Sequence, residues 1–316
     1  MELAFIIDPL DSLKPAKDST LELMRVASQR NHRLFVLEVT DLFLKQGQVW
    51  ASVTPLPYLG DSITPWAHCG TPEQRPLTEF TATVMRKDPP FDMEYVFVTY
   101  LLELAESHGA RIFNRPGALR DHNEKLATAR FPHLAPPTVV ARQQHIFREF
   151  LASEKDIILK PLDGMGGREI FRITEHDPNL SVILETLTHQ ETRTIMAQRY
   201  LPAILEGDKR ILMVNGEAMP YCLARLPAAG ETRGNLAAGG TGRAQPLSAQ
   251  DQVIAAQVGP FLRQEGVLLA GLDVIGTHLT EINITSPTCL REIRDQTGFD
   301  IAAKVVDALE SACSQS

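Results

Sequence analysis

Apolar and polar positions follow one pattern in the first third of the chain and another in the remainder. In the first third, four short apolar runs predict buried strands, at residues 3–7, 34–39, 83–86 and 111–114. Between them, apolar residues at helical spacing predict helices from the Asp18/Ser19 cap to Asn31 and from 92 to 108, where Gly109 closes the helix. Strands that alternate with helices are typical of a parallel sheet, so residues 1–122 are predicted to form an α/β domain.

From residue 123 onward the pattern predicts antiparallel strand pairs, which are typical of an α+β fold. One pair, 157–160 and 169–173, surrounds a glycine-rich turn, and another surrounds Asn215-Gly216, a sequence typical of a type I′ turn. Further elements are predicted as strands at 138–140, 194–197, 210–214 and 217–226, and as helices at 143–153, 248–265 and 300–312. Residues 45–78 and 227–246 are predicted to be irregular. A further helix is predicted to begin at 121–125.

A polar and apolar alternation over residues 271–287 predicts a β-hairpin that could carry metal ligands. Glu281 and Asn283 lie two residues apart, so a strand places both side chains on one face. A three-residue loop at 276–278 sets Asp273 opposite Glu281 and Gly271 opposite Asn283, whereas a loop of even length needs a bulge to do so. Three oxygen ligands beside a glycine suit a hard cation. The alternative is a hairpin whose polar face meets water.

Composition narrows the function classes without identifying one. The 316 residues carry a formal net charge of −8, with a pI near 5.6, which argues against a general binder of nucleic acid or anionic membranes. The four cysteines have no C-x-x-C spacing, so neither a zinc site nor a disulfide framework is indicated. The first residues lack the basic region of a signal peptide, and no apolar run reaches the ~18 residues of a membrane span. We therefore expect a soluble, cytoplasmic protein.

Several basic and glycine-rich positions suggest a site for anions. Gly164, Gly166 and Gly167 would let backbone N–H groups approach a polyphosphate, although a plain hairpin turn explains them equally well. Lys160, at the end of an apolar strand, either faces inward to a phosphate or extends along the surface to water. Arg86 ends a predicted strand of the first domain and Asp88 follows it, so the two either meet a ligand or form a structural pair that braces the turn.

The second half adds three further candidates. Residues 198–201 leave a strand before Pro202, so their backbone groups could bind a purine edge, or they could form an ordinary connection. Arg210, Arg225 and Arg233 lie on successive elements and could converge on an anionic reaction centre, or be solvated separately. The loop 230–242 contains five glycines in thirteen residues; it is interpreted either as a mobile lid that carries Arg233 or as a disordered insertion.

The motifs in this order resemble the ATP-grasp superfamily and, within it, the bacterial glutathione synthetases. The most specific runs are Lys-Pro-Leu-Asp-Gly-Met-Gly-Gly at 160–167 and Glu-Thr-Arg-Gly-Asn-Leu-Ala-Ala-Gly-Gly at 231–240. Supporting runs lie at 85–91, 119–126 and 280–287, so that the resemblance extends over nearly the whole chain.

This resemblance implies a preATP-grasp domain over 1–122 and an ATP-grasp domain over 123–316. The latter would divide into a lid subdomain, 123–200, and a C-terminal subdomain, 201–316, with the metal site and a mobile loop at 227–242. The implied reaction joins γ-glutamylcysteine and glycine with ATP, through an acyl phosphate, to give glutathione, ADP and phosphate. A cytoplasmic homo-oligomer, a tetramer in this family, is also implied.

The resemblance also implies roles for individual residues. The nucleotide would be bound by Lys125, Lys160, Gly164, Gly166, Gly167, Gln198, Tyr200, Leu201 and Asp208. Mg²⁺ or Mn²⁺ would be held by Asp273, Glu281 and Asn283. Catalysis would use Arg210, Arg225 and Arg233, and the substrates would be bound by Arg86, Asp88 and Asn235. Two rival functions remain, a different carboxylate–amine ligase of the ATP-grasp fold and a nucleotide-binding regulator without catalysis.

Overall fold

The fold is described from a computed structural model, which covers residues 1–60, 66–228, 234 and 239–314. The strands, in chain order, are β1 (Glu2–Ile6), β2 (Arg33–Leu37), β3 (Leu42–Lys45), β4 (Gln48–Pro55), β5 (Tyr58–Leu59), β6 (Ala67–His68), β7 (Glu73–Pro76), β8 (Ala82–Met85), β9 (Ile112–Phe113), β10 (Thr138–Ala141), β11 (Asp156–Pro161), β12 (Phe171–Thr174), β13 (Ile195–Arg199), β14 (Asp208–Val214), β15 (Glu217–Leu226), β16 (Thr241–Pro246), β17 (Leu269–Ile275) and β18 (His278–Asn283). The α-helices are α1 (Ser19–Gln29), α2 (Met93–Ser107), α3 (Pro116–Asp121), α4 (Gln144–Glu154), α5 (Leu180–Leu187), α6 (Ala249–Gln264), α7 (Leu290–Thr297) and α8 (Ile301–Ser314).

The first sheet has the parallel centre that the sequence predicted. Strand β1 pairs in parallel with β2 and β8, and β8 pairs in parallel with β9. Helix α1 begins after Asp18, whose carboxylate accepts the Leu21 N–H at 2.9 Å, and α2 begins after Asp92, which accepts the Tyr95 N–H at 3.0 Å. Side-chain caps at both positions satisfy backbone donors that the first helical turn leaves free.

The prediction that residues 45–78 are irregular is wrong for the described parts of this segment, 45–60 and 66–78. Strands β3, β4 and β7 extend the first sheet with antiparallel pairs, and β4 also pairs with β2. Val49, Ala51 and Val53 on β4 are buried while the residues between them are less so, which is the period of two expected for a strand with one covered face. In the sequence, the prolines obscured this pattern. Pro55 and Pro76 lie at the ends of strands, where a strand ladder tolerates proline.

Two antiparallel sheets form the rest of the chain, in agreement with the predicted change of pattern. Their strand orders are β10-β13-β11-β12 and β16-β15-β14-β17-β18. Asn215 and Gly216 have φ of 48° and 75°, as a type I′ turn between β14 and β15 requires. Two predictions need correction: 241–246 forms β16 instead of loop, and the helix expected to open at 121–125 is a 3-10 helix, Leu126–Arg130, preceded by α3.

The hairpin of β17 and β18 reaches the predicted register by a different route. Ile275 pairs with His278, so the loop contains the two residues Gly276 and Thr277, and the predicted three-residue loop is wrong. A register shift after the Val274–Leu279 pair leaves Thr280 as a bulge, which sets Asp273 opposite Glu281. The Thr280 hydroxyl donates to the Asp273 carbonyl at 3.1 Å. The bulge thus adds the one residue by which the two-residue loop falls short of the odd number needed to place Asp273 and Glu281 on the same face.

Candidate functional site

A cavity of about 640 Å³ is lined by strands of the two antiparallel sheets and by the segments that follow β1 and β8 of the first sheet. Its lining includes most of the residues to which the sequence assigned a role, namely Asp88, Lys125, Lys160, Gly164, Gly166, Gly167, Gln198, Tyr200, Leu201, Asp208, Arg210, Arg225, Asp273, Glu281 and Asn283. Arg233 and Asn235 lie outside the described residues. Residues as far apart in sequence as Asp88 and Asn283 therefore share one chamber.

Two lysines and two glutamates alternate along one part of the wall. Lys160 is 5% exposed and faces inward, with its Nζ 3.3 Å from Glu281 Oε1. Lys125 Nζ contacts Glu124, lies 3.8 Å from Glu281 Oε1 and donates to the Gly164 carbonyl at 2.7 Å. Burial lowers the pKa of Lys125, but Glu281 and Glu124 outweigh it, so the pKa lies above its usual value. Both ammonium groups are therefore positioned to attract an entering anion.

Asp273 is the centre of a buried ionic cluster. Arg210 donates two hydrogen bonds to its carboxylate, of which the one from Nη2 to Oδ2 is 2.9 Å long, and Arg225 Nη2 lies 2.9 Å from Oδ2. The Asn283 amide donates to the same oxygen at 3.2 Å. Burial raises the pKa of the Asp273 carboxyl, but the two guanidinium groups dominate and hold that pKa well below its usual range. Asp273 is ionised at neutral pH.

Asp208 shares Arg225 with this cluster. Arg225 Nη2 donates to Asp208 Oδ2, and the Asp208 Oδ1 atom is buried without a hydrogen-bond partner in the described part of the chain. Burial raises the pKa of Asp208 to about 6, although Arg225 acts in the opposite direction. A buried carboxylate oxygen without a partner is costly, and a ligand hydroxyl that donated to it would remove that cost.

The donor chemistry of Asp273, Glu281 and Asn283 suits a hard divalent cation. Burial raises the pKa of the Glu281 carboxyl, but Lys125 and Lys160 outweigh burial and hold that pKa below its usual value, so this carboxyl is also ionised. Two carboxylates and one amide oxygen are ligands that Mg²⁺ and Mn²⁺ accept. Within residues 1–60, 66–228, 234 and 239–314, no group of three or more His, Cys, Asp or Glu side chains is arranged to hold a metal. This set has only two such members, so phosphate oxygens or water would have to complete the coordination.

The glycine loop, residues 162–170, forms another wall of the cavity. Gly166 and Gly167 have φ of 65° and 80°, and a Cβ at Gly164 would lie 2.8 Å from Pro161 Cγ. Other side chains would be strained at these positions, which explains the glycines. Arg193 fastens the loop, with Nη2 2.6 Å from Asp163 Oδ1 and Nη1 3.1 Å from Glu169 Oε2. The bare backbone can thus approach a phosphate closely.

The part of the cavity near β13 is lined by apolar side chains and is called the apolar recess below. Ile158, Leu201 and Ile275 line it with Tyr200, whose ring carries the Arg172 guanidinium at 3.6 Å. The sequence suggested that the backbone groups of residues 198–201 have left the strand and lack sheet partners, but two of their N–H groups are bonded. Arg199 donates to the Pro137 carbonyl at 3.0 Å and Tyr200 to the Asp156 carbonyl at 2.9 Å, because β13 continues for longer than predicted.

Arg86 and Asp88 are placed differently although they are close in sequence. Asp88 lines the cavity, and its N–H donates to Asp8 Oδ2 at 2.9 Å. Arg86 is absent from the described lining; its guanidinium donates to Thr20 Oγ1 at 3.1 Å and to the Pro287 carbonyl at 2.9 Å. Burial lowers the pKa of Arg86. These contacts join the end of β8 to α1 and to Pro287, whereas the alternative that the sequence offered was a pair of Arg86 with Asp88 across the turn.

Sequence reasoning assigned no role to several residues that line the cavity. They include Lys14, Lys17, Glu124, Thr280, Ser286, Thr288, Cys289 and Glu292. Lys14 and Lys17 follow the C-terminal end of β1, an end of a parallel strand at which ligands commonly bind, and this signal was present in the sequence. Glu292 Oε2 is buried without a hydrogen-bond partner among the described residues. No sequence pattern singles it out, because the packing of α7 decides which of its faces meets the cavity.

No helix in the described part of the chain is long and apolar enough to span a membrane. Two solved structures share the fold of this chain at low sequence identity. A D-cycloserine synthetase matches with a TM-score of 0.70 at 15% identity, over 99% of this chain and 100% of that chain. The ATP-grasp ligase PsnB, complexed with a minimal precursor, Mg and ADP, matches with a TM-score of 0.63 at 16% identity, over 99% and 98% of the two chains. These likenesses establish the ATP-grasp fold.

Sequence comparison is more specific. Residues 1–120 match the N-terminal domain of prokaryotic glutathione synthetase, and residues 124–298 match its ATP-grasp domain. The glutathione synthetase of Nitrosomonas europaea is 57% identical over 98% of both chains. That of Ralstonia nicotianae is 54% identical over 100% of this chain and 97% of its own. This chain belongs to the prokaryotic glutathione synthetase family.

Proposed function

We propose that this protein is a glutathione synthetase, an ATP-dependent ligase that joins γ-glutamylcysteine and glycine through an acyl phosphate. The observation that carries the proposal is the convergence of Lys125, Lys160, Arg210 and Arg225 with the oxygen-bearing hairpin on one cavity. Cations that are buried beside ionised carboxylates form an environment for a reaction between anions. Relatives at 54–57% identity over nearly full length carry the same name.

The nucleotide would lie between the glycine loop and β13. Lys125, Lys160 and the backbone at Gly164, Gly166 and Gly167 would bind its phosphates. Gln198, Tyr200 and Leu201 would contact the adenine in the apolar recess. The unpartnered Asp208 Oδ1 would accept a hydrogen bond from the ribose.

Asp273, Glu281 and Asn283 would hold Mg²⁺, or Mn²⁺ in its place, against the phosphates. When bound, the metal ion would neutralise phosphate charge and polarise the phosphoryl group that is transferred. Asp273 would bind the metal through carboxylate oxygens that Arg210 and Arg225 also contact. These two arginines therefore orient the carboxylate as well as face the substrates.

The reaction needs activation because a carboxylate does not react with an amine at neutral pH. The cysteinyl carboxylate of γ-glutamylcysteine attacks the γ-phosphorus of ATP, so that an acyl phosphate forms and ADP leaves. The glycine amine then attacks the acyl carbon, the C–O bond to phosphate breaks, and the nitrogen loses a proton. Arg210, Arg225 and Arg233 would neutralise the repulsion between the reacting anions and stabilise the transferring phosphoryl group.

Substrate recognition would use Asp88 on the wall of the cavity and Asn235 and Arg233 in the loop at 227–242. Closure of this loop would protect the acyl phosphate from water. Arg86 was also expected to bind substrate carboxylate. Its contacts with Thr20 and Pro287 support an indirect contribution, in which it holds the 285–289 segment that lines the cavity.

Domain division and cellular context are part of the same proposal. The preATP-grasp domain would comprise 1–122, and the ATP-grasp domain 123–316, divided near residue 200 into a lid and a C-terminal subdomain. The protein would act in the cytoplasm as a homotetramer.

Phosphate release from ATP with different amino-acid pairs tests the proposed substrates. We expect release with γ-glutamylcysteine and glycine together, and little with either alone, because the acyl phosphate is consumed only when the amine is present. Release with another carboxylate and amine, but none with this pair, would instead indicate a different ligase of the same fold.

A further inference from the structure

The side chain of Asn114 connects the first sheet to the hairpin that carries the proposed metal ligands. Asn114 follows β9 directly and is 5% exposed. Its Nδ2 donates to the carbonyls of Leu269 at 2.8 Å and Ile284 at 2.6 Å. Its Oδ1 accepts the N–H groups of Leu268 at 2.7 Å and Leu269 at 3.0 Å. All four hydrogen-bonding positions of one amide are thus used at the start of β17 and directly beyond the end of β18.

These four bonds lie where the hairpin has stopped pairing with itself. The last paired residues of β17 and β18 are Gly271 and Asn283, and the two strands part beyond them. Asn114 bridges the gap, because a single Nδ2 group donates to a carbonyl of each strand. It therefore sets the separation of the strands at their open end, as a ladder bond would do elsewhere in a sheet.

The bridged residues adjoin the proposed ligands. Ile284 directly follows Asn283, whose amide contacts Asp273 Oδ2 at 3.2 Å. Along its outer edge, β18 is held by main-chain bonds, from Leu279 N–H to the Leu134 carbonyl and from Ile282 N–H to the Glu124 carbonyl, both 2.8 Å. These bonds fix the middle of β18. A displacement at Ile284 would be passed directly to Asn283.

We infer that Asn114 is a positioning residue that holds the open end of the β17–β18 hairpin so that Asp273, Glu281 and Asn283 face one metal ion. The inference rests on the proposed function, since it assumes that these three residues bind metal. Asn114 is outside the cavity lining and acts only through the backbone it bonds. Loss of the Asn114 side chain would misplace the metal ligands. The nucleotide contacts on β11 and β13 would remain intact.

The test compares Mn²⁺ binding and nucleotide binding in the full-length protein. Electron paramagnetic resonance would measure the affinity for Mn²⁺ with ADP present, and calorimetry would measure the affinity for ADP without metal. In Asn114→Ala we expect Mn²⁺ affinity to fall about tenfold, at the lower end of the range for groups that orient metal ligands. Affinity for metal-free ADP should be unchanged. Asn114→Ser, which keeps one donor, should show a smaller loss, and it replaces the alanine variant if that variant does not fold.

Thr99→Val provides a matched control for loss of a buried hydrogen bond. Thr99 is fully buried on α2 and its hydroxyl donates to the Val96 carbonyl at 2.7 Å. This variant should lose stability without a change in Mn²⁺ affinity. Equal Mn²⁺ affinity in wild type and a folded Asn114 variant, or an equal fall in both affinities, would overturn the inference. If wild type bound ADP but no Mn²⁺, the proposed metal set and this inference would both be wrong.

Discussion

The ionic cluster around Asp273 and the glycine loop, on two sides of the cavity, hold their charged groups in opposite ways. On the sheet that contains β14, β15 and β17, Arg210, Arg225 and Asp273 are at most 6% exposed and contact one another directly. On the other side, the glycine loop is fastened by Arg193 to Asp163 and Glu169, two carboxylates whose side chains are more than half exposed. The first arrangement is rigid and shielded from water, and the second is screened by solvent and salt.

This difference corresponds to different tasks in the proposed reaction. Groups that stabilise a transition state are effective when they are fixed beforehand in a site of low dielectric constant. A loop that covers a nucleotide has to admit it and release the product, so weak contacts are an advantage there. Four substitutions would test this comparison, and they are ordered by the size of the expected effect.

Glu281→Gln should have the largest effect, a fall of about 10²–10³ in the rate of glutathione formation, as for other groups that stabilise a transition state electrostatically. The amide keeps the shape of the side chain but cannot supply the anionic ligand. Glu124→Gln is the matched control, because Glu124 also contacts Lys125 but is outside the proposed metal set. Comparable activity of the two variants would contradict the metal assignment.

Arg225→Ala should destabilise the protein strongly. It would leave Asp208 and Asp273 buried with one cation fewer, and breaking a buried ion pair from one side costs about 3–5 kcal/mol. Urea titration would measure the free energy of unfolding. Arg225→Lys should recover part of the loss because it keeps the charge. A loss of unfolding free energy below about 1 kcal/mol, which is typical of exposed ion pairs, would show that the ionic cluster around Asp273 is not the rigid part of the cavity.

Lys160→Met should raise the KM for ATP by about tenfold or more, because a hydrogen bond to a charged group contributes about 1.5–3 kcal/mol. Methionine keeps the length and removes the charge. Lys155→Met is the control, since Lys155, which directly precedes β11, is exposed and paired with Glu175 at 2.6 Å. An unchanged KM for ATP in Lys160→Met would argue against a phosphate contact.

Arg193→Ala should have the smallest effect. We expect a change below about 1 kcal/mol in the free energy of unfolding, because the ion pairs of Arg193 are partly exposed. The KM for ATP should rise by a few-fold, and the difference from wild type should shrink in high salt, which screens the same contacts. Arg148→Ala, which removes only an exposed bond to Ser181, should change neither quantity. A salt-independent loss of turnover would mean that the glycine loop is as rigid as the buried ionic cluster around Asp273.

Local patterns in the sequence predicted much of the fold. Helices α1 and α2 were expected from apolar periodicity and capping aspartates, and the turn at Asn215-Gly216 from the φ values that these residues tolerate. The pattern failed where prolines at strand ends obscured β4. It also missed α5 and α7, which are short helices whose formation depends on packing against distant strands.

The sequence alone determined the residue types and their order: an acid two positions before an amide at 281 and 283, glycines after Lys160, and arginines on consecutive strands. Their spacing was enough to predict Asp273 opposite Glu281. It favoured an odd loop with a bulge as the alternative, because both give the same register, and only the tertiary structure showed the two-residue loop with the bulge at Thr280.

Tertiary structure alone also decided which charges meet. Arg86 and Asp88 are two residues apart, yet one lies behind the cavity and the other on its wall. Asp208, Arg225 and Asp273 form one buried cluster because three antiparallel strands bring them side by side. Charge pairing and burial depend on distances between elements far apart in the chain, and local sequence does not encode those distances.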